Sequence, residues 1–282
     1  MGLRGLLLMV ALSTTMVACS PGEEKRAQHT DRGAGQITTP QRTTTSGAGA
    51  ESTTALRGET TSTDSRPRWD YVALGDSLAV GVGARRGYVT RYAEQLRNDT
   101  GARVKTINLG VSGQTSTQLL YSLRHDPAMR RDLHRAEVVT LNIGLNDLGQ
   151  ASGSYEDGIC GGPQNKACLR EAVNKVANNW DAIVEEILNL RSTEKTVIRT
   201  AGFGYTPRAG KPFEPYVSEA TRHIASTTAE NDIPSLEITL GEAGMSEDEL
   251  HPNDRGYRVI ADRLANLGYE PLAPIEGAGS GQ

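Results

Sequence analysis

Three residues of this chain have the types that serine nucleophile chemistry requires, namely Ser77, Asp248 and His251. A serine hydroxyl becomes nucleophilic when an imidazole takes its proton, and a carboxylate on the second ring nitrogen orients that imidazole. Asp248 precedes His251 by three residues, so one tight turn can hold the carboxylate against the ring. We therefore predict that Ser77 is a nucleophile, that His251 is its base and that Asp248 orients the base.

Attack by a serine hydroxyl also builds negative charge on an oxygen atom, which needs hydrogen-bond donors aimed at one point. Three donors are available, namely the backbone N–H of Ser77, the backbone N–H of Gly113 and the side-chain amide of Asn146. Gly113 has no Cβ, so its backbone can approach a ligand closely. Taken singly, Asn146 is also typical of a turn and Gly113 of a loop. Their joint placement after predicted strands favours an oxyanion hole.

The candidate residues follow segments that have the apolar pattern of β-strands. The predicted strands are residues 69–74, 104–109, 138–143, 196–201 and 233–238. Apolar residues at helical spacing predict helices over 88–96, 115–123, 169–190 and 216–228, and a last helix that Asn253 caps and Gly268 ends. This alternation predicts an α/β fold in which helices cover both faces of a parallel five-stranded sheet. Ligands of such folds bind beyond the carboxyl ends of the strands.

Four segments resemble the motif blocks of the SGNH hydrolases, also called the GDSL esterase/lipase family. They are Gly75-Asp76-Ser77-Leu78, Asn108-Leu109-Gly110 with Ser112-Gly113-Gln114-Thr115, Gly144-Leu145-Asn146-Asp147, and Asp248-Glu249-Leu250-His251-Pro252. The resemblance covers about residues 69–267 and implies a three-layer α/β/α flavodoxin-like sandwich. It also implies that Ser77 is the nucleophile, that Gly113 and Asn146 are oxyanion donors, and that Asp248 and His251 complete the triad. No cofactor and no metal ion are expected.

The N-terminus resembles an export signal. Arg4 precedes an apolar run over residues 6–12, which is short for a bilayer-spanning helix. The segment Met16-Val17-Ala18-Cys19 resembles the cleavage box of bacterial lipoproteins, although leucine is usual at the position of Met16. We expect Cys19 to be lipidated and to anchor the protein to the cell membrane, facing outside. Secretion after cleavage nearby is the alternative.

The remaining organisation follows from composition. Residues 20–68 contain no Phe, Trp or Tyr, and their bulky aliphatic residues are only Ile37 and Leu56. Such a segment cannot bury enough apolar surface to offset its ordering entropy, so we expect a disordered tether. The hydrolase domain is expected over residues 69–270, and a flexible tail over residues 271–282.

Two further cysteines, Cys160 and Cys168, are close in sequence. In the oxidising compartment that export implies, they are expected to form a disulfide. A metal site is the rival interpretation, but no histidine or further cysteine is near, and two thiols alone make a poor zinc site.

Three other segments are candidates for the edge of the pocket. Residues 149–167 and 202–215 are expected to be long loops, and the aromatic residues Phe203, Tyr205 and Phe213 lie in the second loop. Residues 81–87 have glycines in the pattern Gly-x-Gly-x-x-x-Gly, which is not the dinucleotide-binding spacing. They are expected to form a flexible loop, whose residues 83–87 border the pocket.

Charge and composition limit the partners. The net charge of −4 and the aromatic content of 5% disfavour a nucleic-acid surface. The leading hypothesis is a serine ester hydrolase that cleaves small, short-acyl ester substrates through an acyl-enzyme. A non-catalytic, surface-tethered glycan receptor and an acyltransferase at the same site are the alternatives. The sequence carries no signal of oligomeric state.

Overall fold

The computed structural model describes residues 66–204 and 212–272 of the 282-residue chain. In chain order its strands and helices are β1 (Arg68–Gly75), α1 (Ser77–Val80), α2 (Tyr88–Thr100), β2 (Arg103–Asn108), α3 (Ser116–His125), α4 (Pro127–Arg135), β3 (Val138–Asn142), α5 (Leu145–Glu156), α6 (Ala167–Leu188), β4 (Val197–Phe203), α7 (Glu214–Glu230), β5 (Ser235–Ile238) and α8 (Asp254–Asn266). The strands form one sheet in the order β2-β1-β3-β4-β5, and every neighbouring pair is parallel.

The sheet is the middle of three layers. Successive side chains of a strand point to opposite faces, and β1 shows this clearly because nearly all of its residues are buried. Val72 and Leu74 pack in the cluster formed with α3, α4, α5, α6 and α7. Tyr71 and Ala73 pack in the cluster formed with α1, α2 and α8. The predicted five-stranded α/β/α sandwich is confirmed.

Helix α4 was not predicted from the sequence, although its start signal is present. The Asp126 carboxylate accepts hydrogen bonds from the backbone N–H groups of Ala128 and Met129, and Pro127 is the first helical residue. The helix has nine residues and buries only Met129 and Leu133. So short an apolar pattern is weak evidence for a helix until its packing partners are known.

The prediction of a loop over residues 149–167 is wrong in its first part, because α5 continues to Glu156. Gly149 and Gly153 lower the intrinsic helix propensity of this segment. Packing overrides that preference, since Leu148 and Ala151 are buried in the core beside α6. The remainder, from residue 157 to residue 166, contains a single 3-10 turn over Pro163–Asn165.

Several sequence expectations concern residues that the structure does not describe. The predicted leader and Cys19, the tether up to residue 65, the loop residue Tyr205 and the tail from residue 273 lie outside the described residues. Leu272, near the end of the described chain, packs against the core on the α2 and α8 face. Within residues 66–204 and 212–272, no helix is both long enough and apolar enough to cross a bilayer.

The strand order places a crevice above β1 and β3. The chain runs from β1 to β2 on one side and later to β3 on the other, which is the topological switch point of a flavodoxin-like sheet. Ser77 follows β1 directly, and Asn146 follows β3 after a short turn. The buried side chain of Trp180 in α6 fixes that turn, because its Nε1 atom donates to the Ile143 carbonyl oxygen at 2.8 Å.

Candidate active site

Ser77 is held at the carboxyl end of β1 as the first residue of α1. The Asp76 carboxylate caps this short helix by accepting a hydrogen bond from the Leu78 N–H at 3.0 Å. Gly75, the residue before Asp76, has φ of +144°. A Cβ atom at Gly75 would lie 2.3 Å from the Asn142 carbonyl oxygen. Glycine is therefore required where β1 passes β3 to deliver the serine.

Asp248 and His251 lie in one compact turn before α8. The Asp248 Oδ1 atom accepts hydrogen bonds from the backbone N–H groups of Leu250 (2.9 Å) and His251 (2.8 Å). The Ser246 hydroxyl donates to the same oxygen at 2.7 Å, and the Ser246 N–H donates to the His251 carbonyl oxygen at 2.8 Å. These bonds fix the direction of the imidazole.

The three residues form a hydrogen-bonded row. His251 Nδ1 lies 2.6 Å from Asp248 Oδ2, and His251 Nε2 lies 2.9 Å from Ser77 Oγ. An ionised carboxylate only accepts hydrogen bonds, so Nδ1 carries the proton and donates to Asp248. Nε2 is then the acceptor of the Ser77 hydroxyl proton, which is the arrangement that a general base needs.

The Asp248 carboxylate stays ionised at neutral pH. Partial burial alone would raise the pKa of Asp248, but the hydrogen bonds from His251, Ser246 and Leu250 outweigh it and hold that pKa well below its usual value. A negative charge therefore remains beside the imidazole, where it would stabilise a protonated ring.

The loop after α1 supports the histidine turn from the other side. Gly83 has φ of +91°, and a Cβ atom at this residue would lie 2.9 Å from His251 Cβ and 2.7 Å from the Pro252 carbonyl oxygen. The Tyr257 hydroxyl of α8 donates to the Val82 carbonyl oxygen at 2.7 Å. The glycine-bearing loop thus abuts the base rather than lining the cavity at Ser77.

The Asn146 side chain lies at the edge of the same cavity as Ser77 and His251. Its amide nitrogen donates to the Gln114 carbonyl oxygen at 3.0 Å, and it has a longer contact of 3.4 Å with Asp76 Oδ2. The first bond ties the loop after β2 to the start of α5. The second is at the long limit for a hydrogen bond, so it is the weaker of the two.

Asp76 is a site residue to which the sequence assigned no role. It is almost fully buried, and its Oδ1 atom accepts from the Leu78 N–H and from the Asn142 amide (2.9 Å). The Tyr88 hydroxyl in turn donates to Asn142 Oδ1 at 2.8 Å. Burial raises the pKa of Asp76 to about 6, against the opposing effect of the Leu78 and Asn142 hydrogen bonds. The signal was present, because Asp76 lies directly before the nucleophile.

Gly113, the third predicted oxyanion donor, lies in the loop between β2 and α3 with φ of +78°. It lines a separate surface recess together with Val111, Thr117 and Tyr121, and it is absent from the lining of the cavity at Ser77. Its neighbour Gln114 is the residue that Asn146 holds. The role of Gly113 as an oxyanion donor stays a prediction.

A second carboxylate braces this loop. The Asp147 side chain accepts hydrogen bonds from both the N–H and the hydroxyl of Ser116, each at 2.8 Å. The Asn179 amide of α6 donates to the same Ser116 hydroxyl at 2.8 Å. Asp147 therefore fixes the first residue of α3 against the first turn of α5, next to Asn146.

The cavity in front of Ser77 has a volume of about 280 Å³. Apart from the residues already named, its walls come from α1, from α5, from the start of α7 and from the histidine turn. They are Leu78, Leu145, Leu148, Gly149, Ser152, Gly153, Glu156, Phe213, Val217 and Leu250. Of the three aromatic residues considered from the sequence, Phe213 lines this cavity, and Phe203 lines a smaller neighbouring recess.

The expected disulfide between Cys160 and Cys168 is present. It joins the loop after α5 to the start of α6, with its Cα atoms 4.9 Å apart. Inside this loop the Asn165 amide donates to the Tyr155 carbonyl oxygen at 3.0 Å. The crosslinked loop therefore holds the C-terminal end of α5, which forms one wall of the cavity.

The fold is a flavodoxin-like α/β/α sandwich, and the row of Asp248, His251 and Ser77 at its sheet edge has the geometry of a nucleophile with its base. A sequence model of the GDSL-like Lipase/Acylhydrolase family matches residues 73–259, which is more than half of the chain. The chain belongs to this family of ester-bond hydrolases. The confirmed part of the resemblance is thus the family and the fold.

Individual relatives agree with this assignment. The chain is 27% identical over 213 residues to the spore germination lipase LipC of Bacillus licheniformis, covering 72% of this chain and 97% of LipC. It is 28% identical over 208 residues to the uncharacterized protein YpmR of Bacillus subtilis, covering 68% of this chain and 78% of YpmR.

Solved structures show the same fold. The lipase Lip_vut3 from a goat rumen metagenome aligns with a TM-score of 0.63 and 27% identity, over 71% of this chain and 98% of that one. The acetylxylan esterase Axe2 of Geobacillus stearothermophilus aligns with a TM-score of 0.55 and 17% identity, over 71% and 94% of the two chains. At that identity Axe2 is similar in fold alone.

Proposed function

We propose that this protein hydrolyses short-acyl carboxylic esters through an acyl-enzyme on Ser77. The observation that carries the proposal is the row of hydrogen bonds from Asp248 through His251 to Ser77, which opens into a cavity. Membership of a lipase/acylhydrolase family supports the reaction class.

The first half of the reaction acylates the serine. The Ser77 Oγ atom attacks the ester carbonyl carbon while His251 Nε2 takes the hydroxyl proton. The tetrahedral intermediate then collapses as the carbon–alkoxy bond breaks, and the leaving oxygen takes the proton back from Nε2. The products of this half-reaction are a free alcohol and a Ser77 ester.

The second half returns the enzyme to its starting state. A water molecule gives its proton to His251 Nε2 and attacks the carbonyl carbon of the Ser77 ester. The bond from that carbon to Ser77 Oγ breaks, Oγ recovers the proton from Nε2, and the carboxylic acid leaves. Asp248 stays ionised in both halves and stabilises the imidazolium each time.

The oxyanion of each intermediate needs donors near Ser77. We assign the backbone N–H of Ser77, the backbone N–H of Gly113 and the side-chain amide of Asn146 to this role. The Asn146 amide keeps its hydrogen bond to the Gln114 carbonyl oxygen. It gives up its long contact with Asp76 Oδ2 and donates to the oxyanion instead. The short bond orients the amide before substrate arrives, and such preorganisation is what makes oxyanion donors effective.

The cavity suits a small ester. Its volume of about 280 Å³ is just below the usual range of ligand pockets, which is roughly 300–1,000 Å³. Apart from His251, none of the described lining residues is basic, so the site offers no cation for an anionic substrate. The resemblance to a germination lipase supports an acyl ester as substrate.

The test is hydrolysis of p-nitrophenyl acetate and butyrate by the full chain and by Ser77→Ala. The proposal predicts saturable hydrolysis by the native protein and a loss of at least 10³-fold in Ser77→Ala, whose thermal unfolding is unchanged. Undiminished activity in the variant rejects the assignment. Glycan binding without any hydrolysis would favour a receptor, and ester formation with an added alcohol in preference to water would favour an acyltransferase.

We propose further that the protein is exported and anchored outside the cell membrane by lipid on Cys19. The apolar run over residues 6–12 and the Met16-Val17-Ala18-Cys19 segment support this location. More than one acyl chain is needed for stable anchoring, because a single chain binds only marginally. Mass spectrometry of the mature N-terminus should find an acylated Cys19, and Cys19→Ser should release the protein from membranes.

A further inference from the structure

Two glycines inside α5, Gly149 and Gly153, line the cavity into which Ser77 and His251 open. They are four residues apart, so they lie on the same face of the helix, one turn from each other. Both are exposed. At these two positions the helix presents bare backbone to the cavity, between the side chains of Leu148, Ser152 and Glu156.

Packing and backbone conformation do not require glycine at either position. Both residues lie within the helix, and neither has the positive φ that favours glycine. A Cβ atom built at Gly149 or Gly153 would meet nothing within 4 Å beyond the adjacent residues and the backbone of its own helix. Alanine would therefore fit at both positions, and it is more favourable than glycine inside a helix. The two glycines therefore make α5 less stable than alanines would, at the two positions where the helix borders the cavity.

We propose that Gly149 and Gly153 form the floor of the groove that holds the acyl chain of the substrate, and that they set the acyl length the enzyme accepts. The inference rests on the ester hydrolase function proposed above. It assigns a specificity role to two residues that take no part in the chemical steps.

The start of the groove beside Asn146 is the reason for assigning it to the acyl side of the ester. The alkoxy oxygen must lie beside His251 Nε2 to receive its proton, so the acyl chain leaves the carbonyl carbon on the other side. Helix α5 starts at Leu145, next to the Asn146 amide, and ends at Glu156, about 16 Å further along its axis. The glycine face thus runs along α5 from the turn that carries Asn146, where we place the carbonyl oxygen of the ester.

The groove walls suit a short hydrocarbon chain. Leu148, Phe213 and Val217 line it with apolar side chains. At the far end of α5 the Ser152 hydroxyl donates to Glu156 Oε1 at 3.4 Å, and both side chains line the cavity. A chain that continued to this end would meet a carboxylate. The whole cavity measures about 280 Å³, so the groove suits a short acyl chain rather than a long one.

The experiment compares p-nitrophenyl acetate, butyrate and octanoate with the full native chain, Gly149→Leu and Gly153→Leu. The ratio of kcat/KM for octanoate to that for acetate should fall at least tenfold in each leucine variant. Each buried methylene favours the longer ester about fourfold, and a leucine side chain displaces several of them. Gln150→Leu is the matched control, because Gln150 is an exposed residue of α5 outside the cavity lining, and it should leave the ratio unchanged.

Alanine variants keep the inference testable if a leucine disturbs folding. Gly149→Ala and Gly153→Ala should each raise Tm by about 1–4 °C while lowering the octanoate-to-acetate ratio. A lower Tm in both alanine variants would mean that the fold itself requires these glycines, which would overturn the inference.

The remaining outcomes separate the two proposals. If the native protein hydrolyses esters and the leucine variants keep its acyl-length profile, the groove assignment is overturned and the function stands. If the variants instead change the profile for acetate esters of lengthening alcohols, the groove holds the alcohol and the assignment to the acyl chain is overturned. If the native protein hydrolyses no ester, both proposals fail together.

Discussion

His251 Nε2 lies 2.9 Å from Ser77 Oγ, although 174 residues separate the two along the chain. The contact exists because β1 and the turn before α8 end at the same edge of the sheet. Gly75 and Gly83 permit the close approach of backbone on either side of it. Neither residue can act alone, since the serine needs a base and the base needs a fixed orientation.

Asp248→Asn should lower kcat/KM for p-nitrophenyl acetate by about 10²–10⁴-fold. An asparagine amide can donate to His251 Nδ1, which would leave the proton on Nε2 and prevent that atom from accepting the Ser77 proton. Ser246→Ala is the control, because it removes a hydrogen bond to the same carboxylate without changing the group that faces Nδ1. The control should lose less than tenfold, and equal losses in both variants would argue against the tautomer assignment.

Asn146→Ala should lower kcat by about 10²–10³-fold with little change in KM, because an oxyanion donor acts mainly in the transition state. Steady-state kinetics with a short-chain ester measures both constants. Asn179→Ala removes an amide that donates to Ser116 and Thr117, outside the cavity, and serves as the matched control. A rise in KM at constant kcat in Asn146→Ala would assign this residue to ground-state binding instead.

Asp76→Asn should change how stability depends on pH. Burial raises the pKa of Asp76 from 3.8 to about 6, so the folded protein holds this proton more tightly than the unfolded chain does. The associated stability is fully present below about pH 4 and is lost as the pH rises through about 6. The variant lacks this ionisation, so its stability relative to the native protein should rise by about 3 kcal/mol across that interval.

Thermal or urea unfolding at several values between pH 4 and pH 7 measures this difference. A stability difference between Asp76→Asn and the native protein that does not vary with pH would contradict the raised pKa. Asparagine also replaces the oxygen that faces the Asn146 amide, so a loss of activity is expected in the same variant.

The double variant Cys160→Ala/Cys168→Ala should lower the free energy of unfolding by about 2–3 kcal/mol, on the chain-entropy account of so short a loop. For a domain of this size the corresponding fall in Tm is about 4–12 °C. Differential scanning calorimetry measures this fall in Tm. The native protein with the Cys160–Cys168 disulfide reduced is a second sample for comparison. An unchanged Tm in both preparations would show that the loop is held by contacts such as Asn165 to Tyr155 rather than by the crosslink.

The sequence predicted the parts of the fold whose apolar pattern is long or continuous. Helix α6, with buried residues at helical spacing from Leu169 to Ile187, and the fully buried strand β3 are two examples. Helices α4 and α5 were missed because their helical state depends on packing against neighbours. In α5, Gly149 and Gly153 even oppose the helix locally, so only the tertiary contacts of its other face reveal it.

The candidate site also has a part that the sequence predicted and a part that it did not. Ser77, Asp248 and His251 were predicted from residue type and spacing, and the structure brings their side chains into hydrogen-bonding contact. The link from Asp76 to Asn142 and Tyr88 was not predicted, because no sequence spacing indicates which amide of a neighbouring strand faces a buried carboxylate. The cavity floor formed by Gly149 and Gly153 was not predicted either, because that segment was interpreted as a loop.

The most direct test of the account is reaction of the full chain with a fluorophosphonate, followed by intact mass measurement and peptide mapping. The serine oxygen displaces fluoride from phosphorus, so a serine that a neighbouring base activates is labelled selectively. The account predicts one label per chain, located on Ser77, with loss of ester hydrolysis in proportion to labelling and no label in His251→Ala. Labelling at another residue, or full hydrolysis by a protein whose Ser77 is completely labelled, would contradict it.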